Sequence, residues 1–389
     1  MVIDERSTVD LVMRLMAIEG KSGFEAQIAD EVEQRLLAAG AQPAWLKRDS
    51  AHRRTPVLGE TGNLILKLPG TLKQPRRLLA SHLDTVPICV GSKPVRRQQM
   101  ITSADPNTGL GADNRAGVAV ILNAACQILE QGLPHPPLTF CWFVQEETGL
   151  QGSRCMTRSA VGKPAFCFNW DGGACDKLTI GATGGYRMLI HVRGIASHAG
   201  GAPEHGVSAI AVAALAIADL HENGWHGLIQ KGQHAGTSNV GYVHGGEATN
   251  VVTDHVTLKA EARSHDPRFR KRIVTEIEKA FRRAAKSVKN VLGAMGDVTI
   301  DGQLDYESFL LDKQEPCVQM AAAAVQAIGR VPVYAIANGG LDANWLTAHG
   351  LPTVSLGCGQ LNQHMVQEAL DVEQFHDACR IALRIATAS

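Results

Sequence analysis

The sequence has 389 residues, more than one ordinary hydrophobic core accommodates, so two or three domains are expected. Hydrophobic residues make up 45% of it and charged residues 20%, a globular balance that excludes a disordered or collagen-like chain. The 38 lysines and arginines equal the 38 aspartates and glutamates, and this lack of a basic excess argues against a dedicated nucleic-acid or anionic-membrane binder.

The cysteines and the apolar segments bear on the cellular compartment. Nine cysteines are scattered along the chain without a C-x-x-C pair, and several, such as Cys141 and Cys167, lie within apolar runs. Buried free thiols fit this pattern better than disulfides or a thiolate metal cluster. The apolar runs are too short to span a bilayer, and residues 1–6 lack the apolar stretch of a signal peptide. We therefore expect a cytoplasmic protein that binds neither membranes nor nucleic acids.

The first predicted elements are helices, and the pattern changes to alternating strands and helices at about Asn63. Apolar residues at three- and four-residue steps predict helices over 8–16 and 25–37. The elements predicted next are a buried strand over 77–82, a helix over 115–129, a buried strand over 138–145 and a strand over 165–170. This alternation predicts an α/β domain with a parallel or mixed sheet.

From about residue 183 the pattern is that of a different domain. Strands are predicted over 186–192, 238–243, 256–262 and 298–300, with helices over 209–220 and 268–289. This order predicts a small α+β sandwich with its helices on one face. After about residue 305 the α/β pattern returns, with helices predicted over 316–328, 341–349 and 372–386 and strands over 331–335 and 353–356. We therefore predict one α/β domain with a mixed sheet, made of 1–183 and 301–389, interrupted by an inserted α+β sandwich over 184–300.

Histidines and carboxylates gather where predicted strands end or helices begin. They are His82, Asp84, Asp113, Glu146, Glu147, Asp171 and His364. Active sites of open α/β sheets form beyond the carboxyl ends of the strands. Each residue taken alone has an ordinary alternative as a turn, cap or surface residue, and only their joint occurrence favours a site. Because carboxylates in one crevice repel one another unless cations neutralise them, the pattern indicates a metal site and favours two ions.

Six short motifs resemble those of a known metallopeptidase family. They are S-H-L-D-T-V-P at 81–87, G-A-D-N-R-A-G at 111–117, E-E-T-G at 146–149, D-G-G at 171–173, G-I-A-S-H-A-G at 194–200 and G-x-x-N-Q-H at 359–364. The family includes peptidase T (tripeptide aminopeptidase), carboxypeptidase G and succinyl-diaminopimelate desuccinylase. The resemblance runs in the correct order from about residue 8 to residue 385. The segments E-A-R-S-H-D and G-G-L-D-A-N resemble the peptidase T-like branch.

The resemblance implies a zinc-peptidase-type catalytic domain with a dinuclear metal centre. By analogy, His82 and Asp171 bind one ion, Glu147 and His364 bind the other, and Asp113 bridges both. The same analogy makes Asp84 the residue that orients His82, and Glu146 the general base. Imidazole and carboxylate ligands suit two zinc ions, which cobalt or manganese could replace.

The resemblance also implies that the inserted domain is a lid and dimerisation domain. It assigns roles to residues of that domain and of one later loop. His198 would stabilise the oxyanion across a homodimer, and Asn250 and Arg263 would bind substrate oxygens and the substrate carboxylate. From the residues alone, a polar loop residue is the favoured interpretation of His198, whereas a strand-surface ion pair explains Arg263 as well as substrate binding does. Gly339, Gly340 and Asp342 resemble a loop that lines the substrate cleft.

The resulting expectation is metal-dependent hydrolysis of peptide bonds, with aminopeptidase action on short peptides favoured. An amidohydrolase of N-acyl amino acids or a carboxypeptidase would use the same metal centre, and Asn250 and Arg263 would serve either. A catalytically silent binding protein on this fold is the remaining alternative, and it would be expected to lack a ligand or the base. Every position matched to the family is present in this sequence.

Overall fold

The computed structural model describes residues 3–387, which form two compact units. Unit 1 takes the chain up to Ala182 and from Phe309 onward, and unit 2 is Thr183–Ser308. The first break lies next to the predicted boundary at 183/184. The predicted boundary at 300/301 is wrong by eight residues, because the strand that begins at Asp297 continues to Tyr306 within the sheet of unit 2.

The helices follow the sequence pattern closely. In chain order they are α1 (Glu5–Met16), α2 (Ala26–Ala38), α3 (Ala112–Gln131), α4 (Gln151–Arg154), α5 (Arg158–Val161), α6 (Ala209–Glu222), α7 (Pro267–Ser287), α8 (Pro316–Gln326), α9 (Asp342–Ala348) and α10 (Val372–Thr387). Polar side chains cap several of them: Asp4 accepts hydrogen bonds from the first turn of α1, and Asp266 does so for α7, where Pro267 takes the first helical position. Among residues 3–387, no helix combines the length and apolar character needed to cross a bilayer.

The strands divide among separate sheets. In chain order they are β1 (Leu46–Arg48), β2 (Leu64–Leu68), β3 (Arg77–His82), β4 (Pro94–Arg97), β5 (Met100–Ser103), β6 (Leu138–Phe143), β7 (Phe166–Trp170), β8 (Lys177–Ala182), β9 (Gly184–Arg193), β10 (Ser197–His198), β11 (Gly227–Lys231), β12 (His234–Gly245), β13 (Val251–Val252), β14 (His255–Ser264), β15 (Asp297–Tyr306), β16 (Phe309–Leu310), β17 (Val333–Ala337), β18 (Thr353–Leu356), β19 (Gln360–Leu361) and β20 (Ala369–Asp371).

The main sheet of unit 1 is mixed and is built around four neighbouring parallel strands. Its order is β1-β2-β6-β3-β7-β18-β8-β16, and β17 pairs with β8. Within it β6, β3, β7 and β18 run parallel, so their carboxyl ends lie along one edge. Both β3 and β6 are buried along their whole length, which explains why apolar residues occupy consecutive positions at 78–80 in β3 and at 140–143 in β6. The sheet therefore directs the residues after His82, Phe143 and Trp170 to the same edge.

Unit 2 is an antiparallel sheet with helices on one face. Its order is β11-β12-β14-β9-β15, and buried and exposed residues alternate along β14. Helix α7 buries Phe269, Ile273, Ile277 and Phe281 at four-residue steps, and α6 adds a second apolar stripe. Each fully buried side chain of this kind contributes about 1.5–3 kcal/mol through burial. The predicted α/β domain interrupted by an α+β sandwich is confirmed.

Several strands escape prediction because they lack the alternating or continuous apolar pattern. The hairpin β4–β5 is short and mostly exposed or half-buried, and it belongs to a small four-stranded sheet ordered β19-β20-β5-β4. Strand β11, in unit 2, buries only Ile229. Such strands are specified by their pairing partners rather than by their own residues.

Candidate metal centre

The carboxyl edge of the parallel strands presents the chemically active side chains of unit 1. His82 ends β3, Asp171 follows the last residue of β7, and Glu146 and Glu147 follow β6 by three and four residues. Asp113 joins them from the beginning of α3. Because β3, β6 and β7 are neighbours, residues far apart in the sequence meet within a few ångströms.

One group of ligands surrounds the first oxygen of Asp113. His82 Nε2 lies 3.3 Å from Asp113 Oδ1 and 4.0 Å from Asp171 Oδ2. The three residues present one ligand atom each within 4.8 Å of one another, which is close enough for a single ion. His82 is buried, and Asp113 and Asp171 are partly exposed.

A second group surrounds the other oxygen of Asp113. His364 Nε2 lies 3.3 Å from Asp113 Oδ2 and 3.0 Å from Glu147 Oε1. These residues form a second triad of potential ligands within 4.8 Å. Asp113 thus directs one oxygen to each side, which is the geometry that a carboxylate bridging two ions requires. A further triad of His82, Glu146 and Glu147 places Glu146 against both groups.

The charges of the cluster fit divalent cations. Burial, and then the charge of Asp113, raises the pKa of Asp171 to about 8. Burial also raises the pKa of Glu147, and it raises that of Glu146 well above its usual range. Since these carboxylates cannot all ionise side by side without compensation, a bound cation would supply the missing positive charge.

The two histidines respond to the same charges. The carboxylates of Asp113 and then Glu147 raise the pKa of His364 to about 10. Burial lowers the pKa of His82, but the charge of Glu146 and the contacts with Asp113 and Asp84 outweigh burial and raise it. Asp113 Oδ1 is buried and accepts no well-aligned hydrogen bond from the described part of the chain. Imidazole nitrogens and carboxylate oxygens of this kind are the donors that zinc and related ions prefer.

Asp84 connects the first imidazole to the loop that carries the glutamates. His82 Nδ1 lies 3.1 Å from the backbone oxygen of Asp84 and 3.4 Å from its Oδ1. The same carboxylate, which is fully buried, accepts hydrogen bonds from the backbone N–H groups of Glu146 and Glu147 at 2.9 and 3.1 Å. Asp84 is therefore placed to orient the His82 ring and to hold both glutamates.

The loop of residues 339–342, which resembles a substrate-cleft segment, has both accessible and buried residues. Gly339 is exposed and Gly340 half-buried, so both are accessible. Asp342 is fully buried at the start of α9, where burial raises its pKa to about 6. A direct substrate contact by Asp342 does not fit this burial, because a bound molecule could not reach its carboxylate. Its charge instead acts on Asp171 and Glu146 through the protein interior.

In unit 2, His198 and Asn250 meet through a short strand pair. Strand β10 pairs with β13, and the backbone N–H of Ala199 donates to the oxygen of Asn250 at 2.9 Å. The backbone N–H groups of Gly200 and Gly201 donate to His198 Nδ1 at 3.1 and 2.8 Å. When the ring is neutral, this assigns the proton to Nε2, so the exposed imidazole presents a hydrogen-bond donor.

Arg263 is already paired in this structure. On β14 its Nε and Nη2 donate to the two carboxylate oxygens of Glu261, each at 3.0 Å. This is the strand-surface ion pair that the sequence offered as the alternative interpretation. Binding of a substrate carboxylate by Arg263 stays a prediction and would require exchange of Glu261 for the substrate.

Some residues that organise the site were missed from sequence. Glu25, Gln360 and Glu368 are fully buried or nearly so, and all three hydrogen-bond to loops that carry the candidate ligands or the base. Glu368 follows His364 by four residues, and this proximity was the available signal. For Glu25, no local pattern distinguishes it from an ordinary residue at a helix start.

Comparison with known proteins assigns the family. Residues 78–388 match the profile of Peptidase family M20/M25/M40. The aminopeptidase PepT from Bacillus cereus is 31% identical, with a TM-score of 0.86 over 99% of this chain and 98% of that one. A tripeptidase from Staphylococcus aureus is 30% identical, with a TM-score of 0.88 over the same shares. The chain therefore belongs to Peptidase family M20/M25/M40 and is a metallopeptidase, as its motifs and strand-end ligands predicted.

A more distant structure shares the fold. The YXEP protein of Bacillus subtilis, described as a dinuclear metal binding peptidase of the M20 family, is 16% identical, with a TM-score of 0.71 over 98% of this chain and 97% of that one. At this identity the likeness concerns the fold alone.

Proposed function

We propose that this protein is an aminopeptidase that releases the first residue of short peptides at a dinuclear metal centre. The observation that carries the proposal is the position of Asp113, with one carboxylate oxygen facing His82 and the other facing His364. The aminopeptidase and the tripeptidase that are at least 30% identical along nearly the whole chain support a short peptide as the substrate.

The two ligand groups would each hold one ion. His82 and Asp171 would hold one ion, Glu147 and His364 the other, and Asp113 both. Zinc suits these imidazole and carboxylate donors, and cobalt or manganese is an acceptable replacement. When bound, such ions lower the pKa of water to near neutrality and polarise a scissile carbonyl.

Glu146 would act as the general base and then as the general acid. Its carboxyl lies beside Glu147 and within ligand distance of His82. From there it would take a proton from the attacking water and return it to the departing amine. Its buried position supports proton transfer, because burial favours the protonated form and so prepares the residue to give the proton back.

Residues of unit 2 would bind the substrate and its developing charge. His198 presents an N–H donor that could stabilise an oxyanion, an interaction of about 3 kcal/mol at such sites. Asn250 would bind a substrate oxygen, and Arg263 a substrate carboxylate in exchange for Glu261. Gly339 and Gly340 would line the cleft.

The protein would act as a homodimer through unit 2, in which His198 completes the site of the partner subunit. Helix α6 leaves Ile210 and Leu215 about half exposed, at 48% and 50%, and these side chains would form part of the contact. All nine cysteines are free thiols, which supports a reducing, cytoplasmic environment.

A small substrate panel tests the proposed activity. The metal-loaded protein is offered a free tripeptide, the same tripeptide with an acetylated N-terminus, and an N-acyl amino acid. Release of only the first residue of the free tripeptide is expected, with Glu146→Ala as the inactive control. Cleavage of the blocked substrates instead would place the protein among the carboxypeptidases or deacylases. Absence of turnover by fully metal-loaded protein on every substrate would contradict a hydrolytic function.

A further inference from the structure

The loop that carries His364 is anchored at both ends to the loop that carries Asp113. This His364 loop, residues 359–368, has Gln360 near one end and Glu368 at the other, and both side chains are only 1% exposed. Between these anchors the chain is largely exposed, including His364 itself. The two anchors therefore connect the His364 loop to the residues on either side of Asp113.

Glu368 holds the Asp113 loop through two backbone N–H groups. The N–H of Asp113 donates to Oε1 at 2.8 Å, and that of Gly111 donates to Oε2 at 2.6 Å. Both carboxylate oxygens are thus occupied as acceptors. An amide at this position would turn one acceptor into an NH2 group facing an N–H donor, and the loop would have to move.

Gln360 holds the other side of the same loop. Its Nε2 donates to the backbone oxygen of Ala112 at 3.1 Å and to Asn114 Oδ1 at 2.8 Å. Its Oε1 accepts the N–H of Gly172, the neighbour of Asp171, at 3.2 Å. Gln360 therefore links the residues that flank Asp113 to the segment that carries Asp171.

The surroundings of Glu368 and the backbone of His364 leave little freedom to this part of the loop. A Cβ added to Gly109 would lie 2.9 Å from Cys89 Sγ and 3.2 Å from Glu368 Oε2. His364 has a left-handed backbone with φ of +63°, which a non-glycine residue retains only where its surroundings hold it. The packing and the hydrogen bonds together fix this loop relative to α3.

We propose that Gln360 and Glu368 are positioning residues that set the two ligand spacings of the metal centre. Glu368 sets the spacing between Asp113 and His364, and Gln360 sets the spacing between Asp113 and Asp171. The proposal rests on the dinuclear centre proposed above and adds a division of labour within it. Loss of one anchor then weakens chiefly the binding of the ion on its own side, because the other anchor stays in place.

Co²⁺ binding is measured in two variants that each lack one histidine ligand, so that each variant reports on one side of the metal centre. The His82→Ala protein retains the Glu147–His364 side, and the His364→Ala protein retains the His82–Asp171 side. Dissociation constants are measured by calorimetry, and the visible absorption of bound Co²⁺ reports its coordination. Glu368→Gln is expected to weaken binding about tenfold or more in the first background and less than about threefold in the second. Gln360→Leu is expected to give the reverse pattern, with an altered Co²⁺ spectrum on the affected side.

Asp49→Asn is the matched control for a general loss of stability. Asp49 is also a buried carboxylate that accepts backbone N–H groups, from Ala51, Asn63 and Thr157, but it touches neither ligand loop. The Asp49→Asn substitution should lower the free energy of unfolding and leave the Co²⁺ dissociation constants of both sides within about threefold of their values without it. Equal weakening by all three variants, or no weakening by Glu368→Gln and Gln360→Leu, would overturn the positioning roles. Failure of the unaltered protein to bind two Co²⁺ ions would overturn the metal centre itself, and the positioning roles with it.

Discussion

At the scale of single residues, the chemistry depends on carboxylates held at a buried strand edge. Asp113 lies between two histidines, and Asp84 fixes both His82 and the backbone of the two glutamates. Each of these side chains has a defined partner, so removing one changes the neighbours as well.

Glu146→Gln should abolish most activity while leaving the metal bound. The amide keeps the shape of the side chain but cannot accept and return a proton, so kcat should fall by about 10²–10⁴-fold, with KM nearly unchanged. Steady-state kinetics and metal analysis of the purified variant check this. The exposed Glu130→Gln is the control and should match the parent. A kcat within about threefold of the parent would rule out Glu146 as the base.

Glu25→Gln should make the stability of the metal-free protein less dependent on pH. Burial, and then the charge of Asp84, raises the pKa of Glu25 to about 8, whereas in the unfolded chain it is about 4.3. The stability linked to this proton is therefore complete below about pH 4.3 and is lost as the pH rises towards 8, by up to about 1.4 kcal/mol per pH unit. Glutamine does not ionise, so this loss should disappear.

Urea unfolding at pH 5, 6.5 and 8 measures the effect. The difference in unfolding free energy between variant and parent should shift in favour of Glu25→Gln as the pH rises. Parallel stability curves for the two proteins would show that Glu25 ionises normally in the folded state.

At the scale of elements, the helices and strands with the strongest local apolar patterns were the most predictable. Strands β3 and β6 and helix α7 were predicted because each carries a continuous or periodic apolar sequence. The hairpin β4–β5 was missed because its residues are mostly half-buried, show no alternation of buried and exposed positions, and take their conformation from pairing. The candidate ligands at or just after the ends of β3, β6 and β7 were predictable because functional residues concentrate at the carboxyl ends of such strands.

Phe281→Ala in α7 should strongly destabilise unit 2. The side chain is fully buried between the helices and the sheet, and its loss leaves a cavity that should cost about 3–5 kcal/mol. The exposed neighbour Arg282→Ala is the control, with an expected change within about 0.5 kcal/mol. Denaturant unfolding followed by circular dichroism compares the two. Similar small changes for both would mean that α7 contributes little to the core.

At the scale of the whole molecule, the chain builds two units with separate cores, and the second is inserted into the first. The candidate metal ligands all belong to unit 1, whereas His198, Asn250 and Arg263 belong to unit 2. The proposed reaction uses both sets of residues. In the proposed homodimer, His198 of one subunit would complete the site of the other, so activity would depend on dimer formation.

Mixing two inactive variants should restore activity if His198 acts across subunits. In a mixed dimer of His198→Ala and Glu146→Ala, one of the two sites receives an intact base and an intact histidine. Random exchange should therefore recover about a quarter of the parent activity. Each variant carries a different affinity tag, and capture of both tags together first verifies that mixed dimers have formed. Activity no higher than that of the separate variants, in a verified mixed dimer, would contradict the cross-subunit role.

Local periodicity and the residues at strand ends suffice to predict the α/β class, the inserted domain and the candidate ligands, and the resemblance of the ordered motifs indicates the family. Three features are visible only in the folded chain: Asp113 faces both ligand groups, Asp342 is buried, and Arg263 pairs with Glu261. The anchoring of the His364 loop by Gln360 and Glu368 likewise required the structure. Gln360 and Glu368 bind backbone groups 248 and 255 residues away in the chain, and no local pattern in the sequence records which distant groups will meet.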